Sequence, residues 1–348
     1  MRKKRKNWNN YAQENILDLD QIERLKDKLD PKILCSTQNL SEKFVKDNQS
    51  LVDWKNLSKY QKLSENFIIE SKNKVYWPYI LSFQKLSSSF LKIYCVNFNE
   101  YDWQTISKFQ ILDSEFIEKF NDKLCWRSIY QYQKLSENSI LKYQKKFIDK
   151  NEFWYFVSRY QKLSSSFIDN YNWELDWNLI SFYQNLDEKI IIKYKDRVDW
   201  KSVTISQKLS INFIKNYEYF LDPEQMIINQ KLTTDFIESF VYNYGFCKEL
   251  WDKITIYQKL DTHFISKNIR YLDYDYIFKY QRLTEDFILN HSQFSCWNTI
   301  FKYQKVLFSK KTIIKYLKYA DIDDRNYILN IYFMDKIIDL GKIINSFM

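Results

Sequence analysis

The chain holds only two glycines, three prolines and two alanines (Ala12 and Ala320) in 348 residues. Gly245 and Gly341 each stand alone, so no glycine-rich loop is available to cradle a phosphate. Histidine is nearly as scarce: His263 and His291 share no position in the pattern described below, and metal-ligand spacing is absent. Five cysteines (Cys35, Cys95, Cys125, Cys247 and Cys296) include no C-x-x-C pair and form an odd set, which argues against a disulfide framework and for a reducing compartment. No apolar run approaches the roughly 18 residues that span a bilayer, and no apolar stretch follows the basic start, so a soluble, unsecreted chain is expected. Carboxylates are plentiful, but nothing selects a catalytic pair. The expectation is a protein that is not an enzyme and needs no cofactor.

Lys, Asn, Ile, Tyr and Phe are abundant instead, a bias that an AT-rich coding sequence supplies by itself. The formal net charge is +9, but the tail Arg2, Lys3, Lys4, Arg5 and Lys6 carries five of those charges and leaves +4 for the rest. No global basic footprint of a committed nucleic-acid binder remains.

One glutamine sets the register of an internal repeat. Gln38, Gln61, Gln84, Gln110, Gln133, Gln161, Gln184, Gln207, Gln230, Gln258, Gln281 and Gln304 are mostly 23 residues apart, with 26 after Gln84 and 28 after Gln133 and Gln230. Seven residues before the anchor stands Trp54, Trp77, Trp103, Trp126, Trp154, Trp177, Trp200, Trp251 or Trp297, replaced by Pro31, Pro223 and Tyr274 in the other units. Proline suits the first position of a helix, where its missing N–H is not needed. Asp30, Asp53, Asp102, Asp176, Asp199, Asp222 and Asp273 precede that position and suit an N-cap. The Asp-Trp and Asp-Pro pairs therefore open one helix, A, whose inward face continues through Leu57, Ile80, Ile106, Ile129, Val157 and Ile180.

A second N-cap follows the anchor by three residues: Ser41, Ser64, Ser87, Asp113, Ser136, Ser164, Asp187, Ser210, Thr233, Asp261 or Thr284. Leu63 before the cap and Ile68 after it can form a hydrophobic staple. Helix B then buries Phe67, Ile68 and, in other units, Tyr94 or Tyr171. Each unit reads as two helices of roughly eight to ten residues, too short to persist alone. Burying four large side chains contributes roughly 1.5–3 kcal/mol each, whereas ordering 23 residues costs at least about 1 kcal/mol per residue. One unit cannot stand, so the expected fold is all-α: an α-solenoid of about twelve helix-turn-helix repeats with a continuous core.

Three segments follow: residues 1–29, a basic tail and an N-terminal capping helix after Asp20; residues 30–311, the tandem repeats; and residues 312–348, C-terminal capping helices. The pattern decays after Gln304, where Leu307 replaces the cap and Lys310 the Phe. Over about residues 30 to 311, the Asp-Trp, Gln-x-Leu-Ser and Phe-Ile pattern resembles the tandem short-helix repeats encoded in many copies by giant DNA viruses. The resemblance implies a viral origin and a site of action in the host cytoplasm or virus factory. It carries no catalytic residue to transfer. The basic tail reads either as a nuclear-import signal, with the nucleus as destination, or as a disordered start.

The invariant anchor invites comparison with base-reading ladders. A reading position must vary, however, whereas a structural one repeats. Gln is therefore expected to satisfy carbonyls at the end of helix A or across to a neighbouring unit. The next position is basic in nine units: Lys62, Lys85, Lys134, Lys162, Lys208, Lys231, Lys259, Arg282 and Lys305. Such a stripe either follows a phosphate backbone or offsets helix dipoles. The aromatic columns read as core, with Trp8 and Trp173 outside the Trp column as candidates for exposed contacts. Cys35, Cys125 and Cys296 read as structural. The two positions after the second cap vary freely, as in Glu65-Asn66, Ser88-Ser89 and Thr262-His263. Three length insertions, within 95–102, 144–153 and 241–250, fall between helix B and the next helix A, which marks a candidate binding face. A protein partner is the first expectation and nucleic acid the alternative; no membrane partner is expected, and oligomeric state is not readable.

Overall fold

The computed structural model describes residues 7–95, 98–245, 247–291, 297–304 and 312. The chain divides into two compact units, Met1–Asp176 and Trp177–Met348. Each is built from paired short helices, and no strand occurs among the described residues. The fold is an all-α helical-repeat solenoid. In the first unit helix A recurs as Trp8–Glu14, Pro31–Thr37, Trp54–Tyr60, Trp77–Phe83, Glu100–Phe109, Trp126–Tyr132 and Lys150–Tyr160, each packed on its neighbours in the series. In the second it recurs as Trp177–Tyr183, Trp200–Ser206, Pro223–Asn229, Lys248–Tyr257, Tyr274–Tyr280 and Trp297–Tyr303.

Capping and burial give each pair its geometry. All eleven hydroxyl or carboxylate caps that stand three residues after an anchor glutamine accept a hydrogen bond from the backbone N–H three residues on, as Ser64 does from Phe67 and Asp113 from Phe116. The inward residue of helix A (Leu34, Leu57, Ile80, Ile106 and their equivalents through Ile300) is wholly buried, and the staple residue of helix B from Val45 to Ile288 is buried as well. Helix B is shorter than the sequence suggested: Glu65–Glu70 and Ser165–Asn170 are six residues long, and a turn or a 3₁₀ segment such as Gln144–Lys146 brings the chain back. Helices this short exist because their apolar faces are shared with neighbours. No described helix is long and apolar enough to cross a membrane.

Two expectations change. The N-terminal segment holds a complete pair, Trp8–Glu14 and Leu19–Leu25, not one helix after Asp20. Asn7 caps the first helix, Asp18 caps the second in a capping box with Gln21, and Leu17 and Ile22 fill the staple positions of a core with Ala12, Leu29 and Leu34. This is an additional repeat, with Asn15 in the anchor position. Trp8 is accordingly half-buried against Tyr11, in the Trp column after all, whereas Trp173 is exposed.

The insertions lengthen helix A. Glu100–Phe109, Lys150–Tyr160 and Lys248–Tyr257 run to ten or eleven residues, against seven elsewhere. Asp102 therefore does not cap its helix; Asn99 does, and Asp102 is the buried third residue, closing a capping box. Thr234–Tyr244 likewise extends helix B to eleven residues and stops at Gly245, whose φ of +90° suits glycine. The C-terminal capping helices expected over 312–348, the basic tail 1–6, Cys296, Leu307 and Lys310 lie outside the described residues, Thr312 excepted.

Candidate functional site

The glutamine row is the most regular polar feature of the chain. Gln84 is the C-cap of Trp77–Phe83 and reaches back one repeat. Its Nε2 donates to the Ser58 and Gln61 carbonyls at 2.9 and 2.7 Å, and its Oε1 accepts from the Leu63 N–H at 3.0 Å. The same three bonds recur at Gln61 and Gln110. In the second unit they recur at Gln207 and Gln230. Gln38 makes them to Ala12, Asn15 and Leu17 of the first pair. Each amide thereby satisfies two carbonyls left open at the end of the preceding helix A and one turn N–H. The anchors are buried, so they are structural and present nothing to a ligand.

A second clip uses the residue three before the anchor. Ser58, Ser107, Ser158, Ser181 and Thr204 accept, through the side-chain hydroxyl, the backbone N–H eighteen residues on, at the N-cap of the next helix A. In the three repeats followed by an insertion this position is Leu81, Tyr130 or Ile227, all wholly buried. Tyr130 donates from its hydroxyl to the Ile140 carbonyl at 2.6 Å and packs edge-on against Phe147 and Phe153 of the insertion. Burial pushes its phenol pKa well above the ordinary value. Five repeats are thus closed by a hydroxyl clip, and the three followed by an insertion by a buried larger side chain instead. In the Trp column, Trp77, Trp126 and Trp200 donate their indole N–H to the carbonyl five residues back, whereas that of the buried Trp154 finds no acceptor among the described residues.

The structure places Lys62, Lys85, Lys134 and Lys162 in the first unit, and Lys208, Lys231, Lys259 and Arg282 in the second, in the A–B turn immediately after the buried anchor. All eight are exposed, and none has an ion-pair partner among the described residues. Lys305 lies outside the described residues. The column is interrupted at Asn39, Ile111 and Asn185.

A neighbouring column escaped the sequence reading. The residue just before the anchor is aromatic in most repeats, and Tyr60, Phe83, Phe109, Tyr132, Tyr183, Tyr257, Tyr280 and Tyr303 are 42–53 % exposed. These rings are surface, not core. Cations lie over them: Lys59 over Tyr60 and Phe83, Lys108 over Phe109 and Tyr132, Lys279 over Tyr280 and Tyr303. Hydrogen bonding to Tyr60 and Tyr280 holds the Lys59 and Lys279 ammonium groups above their usual pKa, so both stay charged. The motif Lys-Tyr-Gln or Lys-Phe-Gln is visible in the sequence; only its outward direction is not.

The insertion at 144–153 carries a third feature. Ile148 is fully exposed, with Phe147 behind it. Two surface grooves of about 310 and 400 Å³ flank it, one lined by Trp126, Arg127, Lys146 and Glu152, the other by Leu141, Lys142, Lys145 and Lys150. Arg127 forks onto Glu152, Lys142 pairs with Glu118 and Lys146 with Asp122, whereas Lys145 and Lys150 have no such partner among the described residues. Tyr143 donates from its hydroxyl to Glu118, and burial with this carboxylate pushes its phenol up to about 12.

Among the described residues no group of histidine, cysteine and carboxylate side chains is placed to hold a metal ion. Cys35 is buried and its thiol is pushed up to about 11 by desolvation. No protein family, curated protein or solved structure matches the chain.

Proposed function

We propose that the chain is a non-enzymatic repeat scaffold that holds a protein partner at the 144–153 insertion. The observation that carries this reading is Ile148, a fully exposed aliphatic side chain set between two grooves. Large apolar side chains at the centre of a polar rim are what protein interfaces use as anchors. Lys145 and Lys150, uncompensated beside it, favour a partner with an apolar pocket rimmed by carboxylates. The repeated polar residues support a scaffold rather than an enzyme, since the anchors and hydroxyl clips already bond the backbone of neighbouring repeats. The resemblance to giant-virus repeats supports a site of action inside an infected host cell.

A photo-crosslinking residue placed at the exposed position 145, beside Ile148, tests this reading. It is expected to capture one host protein that an Ile148→Asp chain fails to retain and that a chain altered on the A–B turns still binds. Capture that is indifferent to Ile148→Asp refutes the assignment.

A further inference from the structure

We infer that the A–B turn edge of the repeats anchored at Gln61, Gln84, Gln110 and Gln133 binds single-stranded nucleic acid without sequence preference. This surface is separate from the Ile148 knob and does not depend on it. Four rings line the edge: Tyr60, Phe83, Phe109 and Tyr132, each about half exposed. Lys59 lies 4.8 Å from the Tyr60 ring and 5.5 Å from the Phe83 ring, which puts those rings at most about 10 Å apart. Lys108 bridges Phe109 and Tyr132 in the same way, at 4.9 and 5.4 Å. Lys62, Lys85 and Lys134 stand on the other side of the anchor.

The edge therefore alternates flat apolar faces with positive charges. Single strands offer the matching alternation, a base that stacks on an aromatic face and a phosphate that meets a cation. A duplex hides its base faces, and an acidic polypeptide has few planar groups to set against four rings. Glu65, Asp113 and Glu137 on the neighbouring B helices keep their charge but are held by backbone N–H groups, and among the described residues none forms an ion pair with Lys62, Lys85 or Lys134. Glu65 accepts from the Ser87 N–H, Asp113 from the Phe116 N–H and Glu137 from the Ser164 N–H. Exposed cation–π contacts are weak enough for a stacking base to displace them. Sequence tolerance follows from the same geometry, since the only invariant amide points inward and reads no base edge.

The test is fluorescence anisotropy of the full chain with a labelled oligothymidylate long enough to span four repeats, a duplex of equal length, and polyglutamate as competitor. Expected are binding at about 50 mM salt that weakens steeply as salt rises, and a duplex affinity at least about tenfold lower. Substituting Tyr60→Ala, Phe83→Ala, Phe109→Ala and Tyr132→Ala together is expected to cost at least about tenfold in affinity. The pair Phe83→Ala, Phe109→Ala shows a smaller loss in the same direction if the fourfold variant loses helical signal. Lys62→Glu, Lys85→Glu and Lys134→Glu together flatten the logarithmic salt slope by about two, while Ile148→Asp binds as the unaltered chain does. Absence of binding, duplex affinity equal to single-strand affinity, indifference to the ring substitutions, or equal competition by polyglutamate each overturns the assignment.

Discussion

Two of the polar contacts between neighbouring repeats of Met1–Asp176 stand in contrast, an inner row of glutamines and an outer rim of ion pairs. The inner contacts are buried and identical from repeat to repeat, as at Gln61, Gln84 and Gln110. The outer ones differ in position from step to step: Lys46 with Glu70, Lys92 with Glu115, and Lys142 with Glu118 beside Lys146 with Asp122. The difference follows from solvent. An unmet carbonyl beneath a neighbouring repeat keeps its full desolvation penalty, whereas a lysine on the rim exchanges its carboxylate for water at little cost. Regularity is enforced only where water cannot substitute.

The largest break in this contrast is Gln84→Leu, which strands the Ser58 and Gln61 carbonyls and the Leu63 N–H. It is expected to lower stability by at least about 3 kcal/mol, read as a fall in the urea midpoint together with lost amide-exchange protection in the flanking repeats. Ser107→Ala removes one acceptor, for the Cys125 N–H, and is expected to cost about 1 kcal/mol, with faster exchange at that amide. A pH series sharpens the inner side. Cys35 has its thiol raised from 9.0 to about 11 in the fold, so its contribution is complete below pH 9 and is lost as pH rises towards 11. Denaturation at increasing pH is expected to show a loss in the parent chain that Cys35→Ala lacks, and a native-state thiol assay should label exposed Cys247 and spare Cys35. On the outer side, Lys46→Ala and Glu70→Ala are expected to leave the urea midpoint unchanged; a clear shift with either would erase the distinction drawn between rim and row.

The register of the solenoid is legible because Gln38 to Gln304 repeat one chemical task with one residue type. The first repeat is harder to see. Asn15 takes the anchor position and bonds within its own helix, to the Tyr11 carbonyl, instead of reaching back, so the longer side chain is not required there. The insertions look like loops because Asp102-Trp103 retains the sequence of a helix start, yet Asn99 supplies an earlier cap and the helix begins one turn sooner. The Lys62 to Arg282 column was readable as to residue type and position. The ring column from Tyr60 to Tyr303 was not, because an aromatic at a fixed helical step fits a core or a surface equally well in one dimension. Ile148 could be located to an insertion but not to its tip, since exposure there depends on Phe147 and Tyr130 filling the space beneath.

From Gln38 to Gln161, and again from Gln207 to Gln304, the anchor amides reach back towards the N-terminus. A repeat emerging from the ribosome consequently waits for the following segment to be translated before its last open carbonyls are met. The C-terminal end of one helix A is thus completed by residues of the repeat that follows it in the chain.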